Sequence, residues 1–276
     1  MRGQCMAGGA AMARSGSEDT LAQGSFVRVL RAEALKSRHG APVRLAIVLA
    51  LPFPLLAAFV ALSVPQFGLS YSPWNYWYAL LMPVSITLIA ATVANADARL
   101  GNHTLLSSGV PLHLAWGAKV AWCLALLLLS NLVVFAVYAV MSLVVPQGAA
   151  SMSAMLAVAL ALTVMGSWMI PATHLLTMRV GMLAGVFVPL AVQLALSLGW
   201  SVVPFWPACP PAATIVLPTA FLPVLPSGEP ASPGMALVES ISQGPDVALA
   251  LIVAAVLTAA LTAAGAVWLD RSEELR

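Results

Sequence analysis

At 276 residues, 61% of them hydrophobic and only 8% charged, with a mean hydropathy of +0.95, the chain lies far from the roughly 25% charged content of soluble domains. This composition excludes an ordinary water-soluble domain, and the formal net charge of +2 provides no polybasic surface for nucleic acid, which is not an expected partner. The chain reads as an all-α integral membrane protein.

No Asp, Glu, Lys or Arg occurs over 45–96, 120–178, 180–228 or 247–269. A charge at mid-bilayer costs at least about 2.5 kcal/mol, so the spans must lie in these gaps, and the first three gaps are too long for one helix each. The twelve basic residues are confined to the N-terminal segment up to Arg44, to Arg99 and Lys119, to Arg179, and to Arg271 and Arg276. Placing all of these on the cytoplasmic side gives six spans with both termini inside. They are expected over about 44–64, 77–96, 120–144, 153–171, 180–203 and 247–269, within one transmembrane domain covering 25–276.

Residues 1–24, rich in Gly, Ala and Ser, lack the apolar run of a signal peptide. They read as a disordered tail, or as an upstream start with Met6 or Met12 as the initiator. From Ser25 to Arg38 a short interfacial helix is expected to lie under anionic lipid headgroups. Phe26, Val27, Val29, Leu30 and Ala34 share one arc, and Arg28, Arg31, Lys36 and Arg38 the other. Glu33 on the apolar arc and Leu35 on the polar one break the pattern.

Pro52 and Pro54 predict a kink in the first span. Tyr71, Trp74, Tyr76, Trp77 and Tyr78 predict an aromatic belt at headgroup level, marking the outer start of the second span. The segment from Asn95 to Lys119 is the only sizeable basic internal loop and the best place to meet a soluble partner. Asn131 and Gln193, within the third and fifth spans, are expected to bond between helices at about 0.6–2 kcal/mol each, or else to touch cargo. Pro171, His174 and Arg179 are expected in or beside a short inner connection.

Residues 204–226 are too apolar for a wet loop and too proline-broken for a span, so a re-entrant or interfacial hairpin packed against protein is expected. Beyond it Glu229, Glu239 and Asp246 make the outer side purely acidic. Ala255, Ala259 and Ala263, spaced by four in the last span, predict a tightly packed stripe. Cys5, Cys123 and Cys209 are odd in number, have no metal-ligand spacing and read as small packing residues.

The sequence contains no phosphate-binding loop, H-E-x-x-H or G-x-S-x-G motif, and no carboxylate pair within the spans. The expected spans therefore carry no coupling charge of the kind ion-driven transporters use, which points to a motor on another chain. In a permease driven by a separate ATPase, Leu105, Leu106, Leu112, Leu114 and Trp116 are apolar anchors able to enter a groove on a soluble partner. The alternative is that they lie on the membrane surface.

The run AEALKSR, then SPWNYWYALLMP, then ADARLGNHTLLSSGVPLHLAWGAK resembles the ABC-2 type permeases, most closely the lantibiotic-immunity ABC transporter permeases. Glu33 and Lys36 look like the Glu and Lys of that family's first helix, and Trp74, Trp77 and Pro83 like its Trp-rich entry ending in Pro. Asp97, Leu105, Leu106, Pro111 and Lys119 look like its inner loop, to which Arg99 and Leu112 also belong here. The likeness is clearest over about 25–145. It implies a bacterial plasma-membrane permease that pairs with a second permease chain and two cytoplasmic ABC ATPase subunits. It further implies a peptide cargo, with ATP and Mg on the ATPase and no cofactor or catalytic residue on this chain. Other readings are an ABC-2 exporter of a drug, lipid or polysaccharide, and a membrane sensor or assembly protein without transport.

Overall fold

The computed structural model describes residues 26–38, 40–98, 111–232, 234–242 and 245–274. The expected tail over 1–24 lies outside them. Among the described residues every regular element is helical, apart from an isolated antiparallel bridge between Val224 and Pro230. Five stretches are long and apolar enough to cross a membrane: Ala41–Ser63, Ser72–Ala96, Leu112–Val144, Met152–Arg179 and Asp246–Arg271. A shorter apolar helix, Met182–Leu198, has 17 residues and measures about 25 Å.

Helix α1 covers 26–37. The first long stretch divides into α2 (Ala41–Val48) and α3 (Pro52–Ser63). Pro52 opens α3, where its missing N–H would have had no helical partner anyway. Helix α4 (72–98) contains a π turn over Trp77–Leu81, just before Pro83, whose missing N–H leaves the Ala79 carbonyl without its usual donor.

Helix α5 (Leu112–Val144) has 33 residues and reaches about 50 Å, well beyond a hydrocarbon core of about 30 Å. This corrects the expected extent of the inner loop. Pro111 is the N-cap, and no helix breaker intervenes before Lys119, so Leu112 and Lys119 are helical and not loop. A turn at Ser167 separates α6 (Met152–Gly166) from α7 (Met169–Arg179). The fourth stretch thus runs past the expected end at 171, and Pro171, His174 and Arg179 are in a helix. The connection to α8 (Met182–Leu198) is only Val180 and Gly181, the latter at φ 120°, a conformation that favours glycine. α8 is also shorter than the expected 180–203 span, because the chain tightens into a 3₁₀ turn at Trp200–Val202.

Residues 211–219 are all buried, in α9 (Pro210–Val216) and the 3₁₀ turn Leu217–Ala220. Protein thus surrounds the proline-broken backbone, as its apolar sequence requires. Helices α10 (Ala236–Ser242) and α11 (Asp246–Glu274) complete the fold. The small-residue stripe is corrected here: Ala255, Ala259 and Ala263 are exposed, whereas Ala250, Ala254, Gly265 and Leu269 form the packed line of α11. A four-residue spacing of alanines recurs on more than one face of so alanine-rich a helix, so spacing alone does not select the packed face.

The aromatic belt is a second correction. Trp74, Trp77 and Tyr78 are fully buried and Tyr71 nearly so, while Tyr76 is 45% exposed. Tyr138 stacks at 5.2 Å on Tyr71 and lies 4.6 Å from Trp74. The Tyr71 hydroxyl accepts the Ala150 N–H at 2.7 Å, and burial raises this phenol above its ordinary value more than that bond lowers it. Tyr71, Trp77, Tyr78 and Tyr138 find partners for their polar ends inside the protein, whereas the Trp74 Nε1 is buried with none among the described residues.

Candidate functional site

The N-terminal end of α5 and the C-terminal parts of α7 and α11 meet α1 in a polar junction. Along α1 the residues at i, i+3, i+4, i+7, i+8 and i+11 from Phe26, which are Val29, Leu30, Glu33, Ala34 and Ser37 after it, are buried or half-buried. Arg28, Arg31, Lys36 and Arg38 are exposed, and so is Val27, which the helical arc had placed with the apolar residues. The Phe26 ring lies over Gly117 of α5.

Glu33, out of place by hydropathy, is on this packed face because it meets Lys119. The Lys119 Nζ donates to Glu33 Oε1 at 3.1 Å, with side chains 7% and 13% exposed. Lys36 Nζ stands 3.9 Å from the same oxygen. A carboxylate and an ammonium this far from water each cost several kcal/mol to desolvate, and each offsets the other's penalty only while paired.

One helical turn further along α5, Cys123 Sγ is 4.0 Å from His174 Nε2. The other ring nitrogen, Nδ1, is 2.8 Å from the Ile170 carbonyl. A carbonyl only accepts, so Nδ1 carries the proton and Nε2 faces the thiol as an acceptor. His174 is fully buried and meets Trp116 edge-on at 5.6 Å. Trp116 donates from Nε1 to the Thr262 carbonyl at 2.9 Å, and a Cβ on Gly265 would lie 2.2 Å from its ring. Trp116 is therefore a packing residue between α5 and α11 and not an exposed anchor for a soluble partner. Two outer contacts close the junction: Arg179 lies 4.6 Å over the Trp268 ring, and His113 lies 3.6 Å from Asp270, with both half-exposed.

The remaining candidate positions are dispersed. Arg99, Leu105 and Leu106 lie outside the described residues, as does the Asp97 side chain, although its backbone is in α4. Pro111 is exposed, and Leu112 packs partly against the core. Asn131 accepts from Trp77 Nε1 and donates to Thr163 Oγ1, both at 3.1 Å, tying α4, α5 and α6 together. Gln193 donates to Ser197 Oγ at 2.9 Å and to the Pro211 carbonyl at 3.5 Å, while its Oε1 is buried with no partner among the described residues.

Sequence reasoning missed the Trp116–Gly265 contact. The available signal was a glycine inside an apolar helix, which marks close approach. Among the described residues no group of three or more His, Cys, Asp or Glu side chains is placed to hold a metal. The junction can therefore bind four helices into one mechanical unit. No protein-family model matches the chain, and neither does any curated protein or solved structure.

Proposed function

We propose that this chain is the membrane-spanning subunit of an ATP-driven transporter of ABC-2 type, working with a second permease chain and cytoplasmic ATPase subunits that bind ATP and Mg. The observation that carries this reading is the buried Glu33–Lys119 pair. Two residues 86 positions apart, each picked out by resemblance to that family, are in contact, and they join α1 to the helix that emerges from the basic inner segment.

Two further observations support it. The basic residues fall at Arg44, Lys119, Arg179 and Arg271, while Glu229, Glu239 and Asp246 occupy the opposite connections. Helix α8 runs from Met182, whose sulfur accepts from Asn95 near one end of α4, to Ser197 and Leu198, which share a cavity with Asn75 at the other. It thus travels the length of a spanning helix, which supports a sixth span and both termini inside.

In this mechanism ATP binding closes the ATPase pair and displaces the inner segment over 99–111. Helix α5 begins at the end of that segment, so its displacement passes through Glu33–Lys119 to α1 and through Trp116–Thr262 to α11. The cargo is a lantibiotic or similar cationic amphiphilic peptide, expelled from the outer leaflet of a bacterial plasma membrane, where the acidic outer side favours it.

The test is co-purification of the tagged chain from its native host. A stoichiometric ATP-hydrolysing subunit is expected, and it is lost in the double substitution Leu105→Asp and Leu106→Asp while the chain still inserts. Recovery without any ATPase in several detergents overturns the reading in favour of a sensor or assembly protein.

A further inference from the structure

We infer that the outer end of α4 and α8 forms a binding site for an uncharged aromatic group carrying one N–H or O–H donor, such as a tryptophan side chain presented by an amphiphilic peptide. The inference rests on a cavity of about 250 Å³ between these helices, the start of the outer segment and the loop after α9. Its walls are mostly apolar, from Ala79, Leu80, Leu198, Trp200 and Ile215. An apolar cavity of about 150 Å³ accepts benzene, so this volume suits a bicyclic ring and is too small for a whole peptide. Leu80 is 40% exposed and Leu198 67%, so the rim opens on an apolar surface from which an amphiphile can enter.

The polar atoms at the site select the ligand's chemistry. Asn75 lines the cavity and uses its Nδ2 on Tyr78 Oη at 2.8 Å and on the Leu225 and Pro226 carbonyls at 3.3 and 3.4 Å. Its donor is thereby committed to the protein, and its Oδ1 remains as an acceptor. Gly228, at φ 89°, lies beside that oxygen, where a Cβ would stand 3.2 Å away. Ser197, also lining the cavity, gives its proton to the Pro211 carbonyl at 2.9 Å and accepts from Gln193. One turn inward on α8, the buried Gln193 Oε1 has no partner among the described residues.

The wall also carries the hydroxyls of Tyr76 and Ser227, which can donate or accept, and the Asn75 oxygen is the acceptor it offers to a ligand that donates. No charged side chain lines the cavity, so an ammonium or guanidinium would enter without compensation, and a neutral N–H or O–H is selected. The site deepens the amphiphilic-cargo reading and rests on it for its biological role. Its binding chemistry belongs to the isolated chain.

The test uses the purified full chain in phosphatidylcholine nanodiscs, photolabelled with a diazirine derivative of N-acetyltryptophan amide and, separately, with a diazirine-bearing palmitic acid. Labelled residues are located by mass spectrometry. The indole probe is expected to concentrate on Leu80, Trp200 and Ile215. Excess N-acetyltryptophan amide should reduce that labelling at least fivefold. Ser227→Phe or Leu198→Trp, both at exposed rim positions that put no strain on the core, should reduce it similarly. Equal labelling of the same residues by the acyl probe would overturn the assignment in favour of a lipid-tail site. Indole labelling that persists in both filled variants, each with unchanged gel-filtration behaviour, would also overturn it. Either result leaves ATPase co-purification untouched, so failure of the site and failure of the transporter reading are distinguishable.

Discussion

The two ends of the bundle are held together by different chemistry. At one end, α1, α5, α7 and α11 meet through an ion pair, a thiol–imidazole contact and a tryptophan wedged over a glycine. At the opposite end, Tyr71, Trp74 and Tyr138 pack as neutral rings, and Asn75 holds the loop after α9 by the Leu225 and Pro226 carbonyls. Neutral stacking and amide bonds tolerate small rearrangements. A buried ion pair is closer to all-or-none, because separating its members forfeits the close contact that offsets their desolvation. The ion-pair end is thus the one suited to transmit a discrete displacement, and the aromatic end the one suited to remain as a fixed rim.

The contrast is broken most severely at Lys119. Lys119→Ala takes the nearer cation from the largely buried Glu33, leaving Lys36 at 3.9 Å, and is expected to cost about 3 kcal/mol, the low end for breaking a buried pair, read from thermal or denaturant unfolding in detergent. The double substitution Glu33→Gln with Lys119→Met removes both charges and should cost clearly less than the single change. Equal losses would mean that the pair contributes packing alone. Gly265→Val comes next. Its Cβ would enter the Trp116 ring, forcing the indole off Thr262, with an expected loss of about 1–3 kcal/mol and a shift in tryptophan emission.

Asn131→Leu probes the neutral side of the comparison. It strands Trp77 Nε1, while Thr163 Oγ1 keeps its bond to the Ala159 carbonyl at 2.8 Å, and should cost about 0.6–1.7 kcal/mol, less than the loss of Lys119. The smallest effect is expected from Ala255→Leu or Ala259→Leu, which face outward on α11 and should change the stability of the isolated chain by less than about 0.5 kcal/mol. A large loss there would show that this face is packed after all.

Much of this architecture was legible in the sequence, and the misreadings have physical causes. Gaps between charges located the long helices because a charge is costly in lipid whatever the fold. The same reasoning does not reveal which face of a helix packs, so the alanine stripe and the aromatic belt were both assigned to the wrong surroundings. Helix ends were misjudged where no breaker stands. Pro111 caps α5, which starts at Leu112, before the second charge-free gap opens at 120, and α7 continues through Arg179 because Pro171 is in its first turn. Glu33 was visible as an anomaly on an apolar arc. What made sense of it was Lys119, 86 residues away, and local periodicity carries no information about contacts at that separation. Asn131 stood out as a polar residue within a span, but its bonding to both Trp77 and Thr163 depends on how three helices are arranged.

The most direct test of the account is peptide-stimulated ATP hydrolysis by the proposed transporter, purified with its ATPase and compared between the native chain, Glu33→Lys, and the exchanged pair Glu33→Lys with Lys119→Glu. The account predicts that the single reversal abolishes stimulation while the ATPase stays bound, and that the exchange restores it. Stimulation of the single-reversal variant at the native level would contradict the claim that the buried pair transmits the motion.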